Sequence, residues 1–150
     1  MITANKTTTK SSFLPTGMGE KLQQRLIEFA GVGMIAVAVA LIIALTSYSA
    51  SDPSLNTAAL ADNIDNLLGF AGALTSDLLL QTLGLACLPF IILLGAWGWR
   101  LVTIHRVHAI WLRLSLLPFA LILLALALSH LGAPENWPLR AGLSGVVGDL

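Results

Sequence analysis

Charge is the scarcest property of this 150-residue chain: 11% of its residues are Asp, Glu, Lys or Arg, against about 25% in ordinary soluble domains. So few charges cannot cover a globular surface, which excludes a soluble globular enzyme. Net charge is zero, so the one-signed excess of a nucleic-acid-coating or disordered chain is also missing. The single cysteine, Cys87, sits in an apolar run. It excludes an intrachain disulfide and reads as a small buried hydrophobe, since no neighbour would activate its thiol. Catalytic patterns are lacking too. There is no glycine-rich phosphate loop ending in Lys-Ser or Lys-Thr, no H-E-x-x-H, no cysteine pair and no G-x-S-x-G elbow. His105 and His108 are three apart but have no third ligand, so they read as interfacial residues of a basic turn. No catalytic, cofactor-binding or metal-ligating residue is assigned.

What is abundant is apolar surface: 56% of residues are hydrophobic and mean hydropathy is +0.83. The predicted fold class is all-α integral membrane, a multi-span helical bundle. Residues 1–25 read as a flexible basic tail. The first span, about 27–48, reaches about 33 Å at 1.5 Å per residue, enough to cross a hydrocarbon core. Its apolar core is too long for a secretory signal, so it is expected to stay as an uncleaved anchor. The 49–66 loop holds the turn Asp52-Pro53-Ser54. Residues 64–77 carry Ile64, Leu67, Leu68, Ala71, Leu74 and Leu78 at helical spacing and predict an amphipathic segment. The second span is placed at 78–99, with Pro89 as a kink and Trp97 and Trp99 at its far interface. The third is placed at 114–131. A fourth span is expected to begin at about 141 and to be cut off at Leu150, so residues 26–150 make one membrane domain.

The cations set an orientation. Lys6, Lys10, Lys21 and Arg25 precede span one, and Arg100, Arg106 and Arg113 separate spans two and three. The 49–66 loop has none, and only Arg140 follows span three. The positive-inside bias therefore predicts a cytoplasmic N-terminus and 100–113 loop, with the other two loops outside. Asp77 and His130 fall at the outer mouths of spans, where they mark the water boundary or bond a neighbouring segment rather than build an ion path.

Small residues recur at helical spacing. Gly69, Gly72, Ala73 and Ser76 form one stripe, Ala36, Ala40 and Ala44 a second, and Ala141, Gly142, Gly145 and Gly148 a third. Such stripes let helix backbones approach closely in lipid. Packing within one bundle is the plainer reading, and oligomerisation or docking to other membrane proteins the functional one.

The order of these features resembles the N-terminal membrane domain of the FtsK/SpoIIIE DNA translocases. The resemblance is carried by Tyr48-x-x-x-Asp52-Pro53-Ser54 and by Asn66-x-x-Gly69-x-x-Gly72-Ala73-x-x-Ser76-Asp77. The Gly84…Pro89 pair, Gly98-Trp99-Arg100 and Gly142-x-x-Gly145-x-x-Gly148 complete it. Ala141 stands where family members often have Gly. The resemblance implies a four-span inner-membrane protein at the division septum, followed by a linker and an ATP- and Mg-dependent motor that pumps DNA. It also implies a homo-oligomer, hexameric through the motor, in contact with lipid and with membrane proteins of the division machinery. DNA would be met only through the motor, which lies outside this chain. Gly69, Gly72, Ala73, Ser76, Asp77, Gly142, Gly145 and Gly148 carry over as helix-packing and assembly positions, and Asp52, Pro53 and Ser54 as the loop turn. Two rivals stand beside this: a fragment of a small-solute transporter, which should place polar or broken-helix residues near the midplane, and a stand-alone membrane scaffold.

Overall fold

The computed structural model describes residues 18–54, 64–105, 110–134 and 142–150. All regular structure among the described residues is helical. The helices are α1 (Met18–Thr46), α2 (Gly69–Leu83), α3 (Cys87–Ile104), α4 (Ile110–Ser129) and the short α5 (Gly145–Asp149), with a 3-10 turn, Gly84–Ala86, between α2 and α3. Three stretches are long and apolar enough to cross a bilayer: 18–46, 69–104 and 111–129. Helix is the answer these segments must give, because hydrocarbon offers no partner for a free N–H or C=O. The start proposed for a fourth span, at about 141, lies outside the described residues; the helical turn nearest to it begins at Gly145.

The bundle is built around small residues. Gly31, Ala38, Ala44, Ala73, Ala86, Cys87, Gly98 and Ala125 are buried, whereas Phe29, Phe70, Ile92, Phe119 and Leu123 point outward. That pattern suits lipid as solvent: large side chains gain nothing by leaving it, and small ones let backbones touch. α1 and α3 run antiparallel, since Glu28 meets His105, Gly31 meets Gly98 and Ala38 meets Gly95. The seat for α3 on α1 is thus Gly31 and Ala38, while Ala44 lies on the side of α2. The expected stripe Ala36, Ala40, Ala44 is only partly used, because Ala36 is exposed and Ala40 faces α2.

The 69–104 stretch does not run straight. Gly95 packs on Ala38, 3.6 Å away. Gly72 packs on Asn66, whose side chain bonds the carbonyl of Ala44. Ala38 and Ala44 are only ~9 Å apart along α1, whereas Gly72 and Gly95 would be ~35 Å apart on one straight helix. The chain therefore turns sharply at Gly84–Ala86, and the 78–99 span of the sequence reading straddles this turn. The break falls at Gly84 (φ 57°) and not at Pro89. Pro89 is the third residue of α3, where its missing N–H would have had no helical partner anyway.

α2 also inverts the amphipathic expectation. The apolar positions Leu67, Leu68, Ala71 and Leu78 are exposed, while Gly72, Ala73, Ser76, Asp77 and Leu80 face inward. Ile64 and Leu67 precede the helix. In lipid the apolar side is the outer side, so the face that packs is the small and polar one.

Candidate helix-packing and assembly site

α1 ends at Thr46 and must leave carbonyls without helical partners. Asn66 supplies them. Its Nδ2 donates to the Ala44 carbonyl at 2.9 Å and to the Ser47 carbonyl at 3.2 Å. Its Oδ1 accepts from the Leu68 N–H at 3.0 Å. Ser47 Oγ in turn accepts from the Leu67 N–H at 3.1 Å and donates to the Ile43 carbonyl at 2.7 Å. Asp52, buried, accepts the N–H of Asp65 at 2.9 Å through one oxygen and that of Asn66 at 3.0 Å through the other. The Asp52-Pro53-Ser54 turn is thus a clasp that draws residues 65 and 66 back onto the end of α1. Pro53 is buried beside it and Ser54 is half-buried.

Asp77 completes this end of the bundle. Gln81 Nε2 donates to both of its oxygens, at 2.9 and 2.8 Å, and Tyr48 Oη donates to Oδ1 at 3.1 Å. Tyr48 follows α1, and its phenol is pushed up to about 12, first by burial and then by the hydrogen bond and charge of Asp77. Ser76 Oγ turns inward to the Gly72 carbonyl at 2.8 Å. Asp77 is thus bonded to Tyr48, beyond the end of α1, and to Gln81 one turn on in α2.

The glycines divide by role. Gly69 (φ 63°) opens α2, its N–H donating to the Asn66 carbonyl at 2.8 Å. A Cβ on Gly72 would strike Asn66 Oδ1 and come within 2.6 Å of Leu68 Cβ. Gly145 (φ 65°) is seated in the α2–α3 turn: a Cβ there would lie 2.5 Å from the Gly84 N and 2.7 Å from the Thr82 carbonyl. The Leu85 N–H donates to the Leu143 carbonyl at 2.9 Å, which pairs the broken backbone at this point. Gly148 lies against Ala125, where a Cβ would sit 2.6 Å from the carbonyl. Gly142 (φ 65°) borders open space. Ala141 lies outside the described residues. Gly72 is therefore used against Asn66, Asp77 against Tyr48, Gly145 against the α2–α3 turn and Gly148 against α4, while Ala73 and Ser76 are buried on α2.

The opposite end holds a cluster the sequence reading did not assemble. His105, in the left-handed region at φ 57°, closes α3 and places Nε2 2.8 Å from Glu28 Oε1 and 3.3 Å from Gln24 Nε2. Arg25 Nη1 donates to Glu28 Oε2 at 2.7 Å. His108 lies outside the described residues, and among those described no three His, Cys, Asp or Glu side chains converge to hold a metal ion. Asn66, Gln81, Gly31 and Gly98 were likewise not singled out as packing residues. Asn66 carried a signal, an Asn set before Gly69 in the quoted motif. Gly98 stood in the quoted Gly98-Trp99-Arg100 motif, but neither it nor Gly31 announced the other as its partner, because the two lie on helices far apart in sequence.

The model of the 4TM region of DNA translocase FtsK/SpoIIIE matches residues 23–150. Curated relatives agree. A DNA translocase FtsK of Bradyrhizobium diazoefficiens is 39% identical over 136 residues, covering 91% of this chain and 16% of the relative. That of Rhizobium meliloti is 39% identical over 127 residues, covering 83% and 14%. That of Pseudomonas aeruginosa is 30% identical over 136 residues, covering 86% and 17%. The chain thus spans less than a fifth of the length of each of these relatives. No solved structure matches it. With membrane-length helices packed through glycine and alanine, and a family match over nearly all of its length, the chain belongs to the 4TM membrane region of the FtsK/SpoIIIE DNA translocase family.

Proposed function

We propose that this chain is the anchoring and assembly domain of an FtsK-like DNA translocase, non-catalytic by itself, which tethers an ATP-driven motor at the division septum. The observation that carries the reading is the match of residues 23–150 to the membrane region of that family and to relatives named DNA translocase FtsK. The physical support is a chain with apolar outer surfaces and its polar groups spent on joining helices. ATP and Mg would belong to the motor, as the family resemblance implies. The basic N-terminal tail and 100–113 loop favour an inner-membrane protein with a cytoplasmic N-terminus. The motor subunits would form a hexamer, and the bundle would meet division proteins in the membrane. A fluorescent fusion of residues 1–150 tests the tether: a band at the division site is expected, and uniform labelling of the cell envelope would refute septal targeting. Reporter fusions at Arg106 test orientation, with a cytoplasmic signal expected.

A further inference from the structure

α3 and α4 stand side by side without closing on one another along much of their length. Between them runs a groove of about 390 Å³, lined by Phe90, Leu93 and Trp97 of α3 and by Leu117, Leu124 and Arg113 of α4. Its walls are apolar except at one end, which the half-buried Arg113 lines. Among the described residues Arg113 makes no ion pair; the pairs present are Arg25–Glu28 and His105–Glu28. The segment from Arg100 to Arg113 contains no acid. From Arg113 to Leu124 the groove extends ~17 Å along the helix, about half of a ~30 Å hydrocarbon core. One leaflet has that depth, and a cation at the headgroup level marks its polar boundary. An apolar transmembrane helix laid in the groove would leave Arg113, which makes no ion pair among the described residues, without a counter-charge, whereas a phosphate would neutralise it.

We propose that the α3–α4 groove is a binding site for one anionic phospholipid of the surrounding bilayer, an acyl chain lying along Leu93, Leu117 and Leu124 and the headgroup phosphate on Arg113. The site does not depend on where in the cell the protein acts. Near a membrane surface one basic side chain contributes ~1 kcal/mol toward anionic lipid, roughly a fivefold preference.

The test uses the full-length protein, delipidated in mild detergent and exposed to mixed micelles of phosphatidylglycerol or phosphatidylethanolamine, with retained lipid counted by native mass spectrometry. The expected result is about fivefold greater retention of phosphatidylglycerol. Arg113→Gln should abolish the preference and Arg113→Lys should keep most of it. Leu117→Trp, which fills the groove, should reduce retention of both lipids. Arg100→Gln removes an exposed cation outside the groove and should change nothing. Equal retention of the two lipids overturns the proposal, as does equal loss in Arg100→Gln and Arg113→Gln. A spin label at Leu117→Cys, in a Cys87→Ser background, gives the independent check. Shielding from lipid-soluble oxygen that persists after delipidation would mean that a protein helix fills the groove, and would also overturn it.

Discussion

Adding one methyl group at Gly31 should separate the two helices that define the bundle. A Cβ there would lie 2.7 Å from the Gly98 carbonyl oxygen, 2.8 Å from Val102 Cγ2 and 2.9 Å from Leu101 Cβ. Ordinary carbon contacts are ~3.5–4.0 Å, so α1 and α3 must part by roughly 1 Å. A gap of that size forfeits about a quarter to a half of each dispersion contact along the seam, and overpacking of this kind costs ~1–3 kcal/mol. Lipid supplies no hydrophobic drive to restore the contact. Gly33, two residues on, has nothing within 4 Å of a built Cβ. There the same change removes only the helix penalty of glycine, a gain of up to ~1 kcal/mol. That gain is common to both positions, so Gly31→Ala and Gly33→Ala should differ in unfolding free energy by the overpacking cost, ~1–3 kcal/mol. Equilibrium unfolding in mixed micelles, followed by Trp fluorescence, measures the difference; Trp97 and Trp99 flank Gly98 on the seam. Gly31→Ala with Gly98→Ala should cost less than the sum of the single changes, because helices already parted have room for the second methyl. Equal stability of the Gly31 and Gly33 variants would refute the packing argument.

Three other outcomes are expected. Asn66→Ala should destabilise by ~1–3 kcal/mol by leaving buried carbonyls at the end of α1 unpaired, and Asn66→Asp should not rescue it, since a carboxylate offers those carbonyls no donor; thermal melts in detergent read both. Gly145→Ala should be worse tolerated than Gly142→Ala: both adopt positive φ, but only Gly145 is pressed against the Gly84 and Thr82 backbone, and protease resistance of the 142–150 segment would report the loss. Tyr48 is the single tyrosine of the chain, so absorbance near 295 nm titrates it alone. Its folded value of about 12 lies above the unfolded value of ~10, so the stability tied to its proton is fully present below pH ~10 and is lost as pH rises toward 12. Asp77→Asn should lower the midpoint, and a wild-type midpoint near 10 would refute the buried hydrogen bond.

The division between sequence and tertiary structure follows from range. Membrane residence, helical class and the family were legible in the linear string, because a bilayer imposes a length and a hydropathy on each segment independently of its neighbours. The small stripe Gly69, Gly72, Ala73 and Ser76 was also legible as a stripe, since its spacing alone puts it on one face; what that face meets was not. The turn at Gly84 was not. A proline at the third position of the next helix is the louder local signal, yet the break is decided by the Leu143–Gly145 backbone arriving from about sixty residues away. The outward apolar face of α2, the Gly31–Gly98 crossing, the Asn66 cap on α1 and the Glu28–His105 pair are likewise products of helix against helix. Each is a contact of a few ångströms between residues remote in the chain, and no local periodicity encodes which small face will meet which.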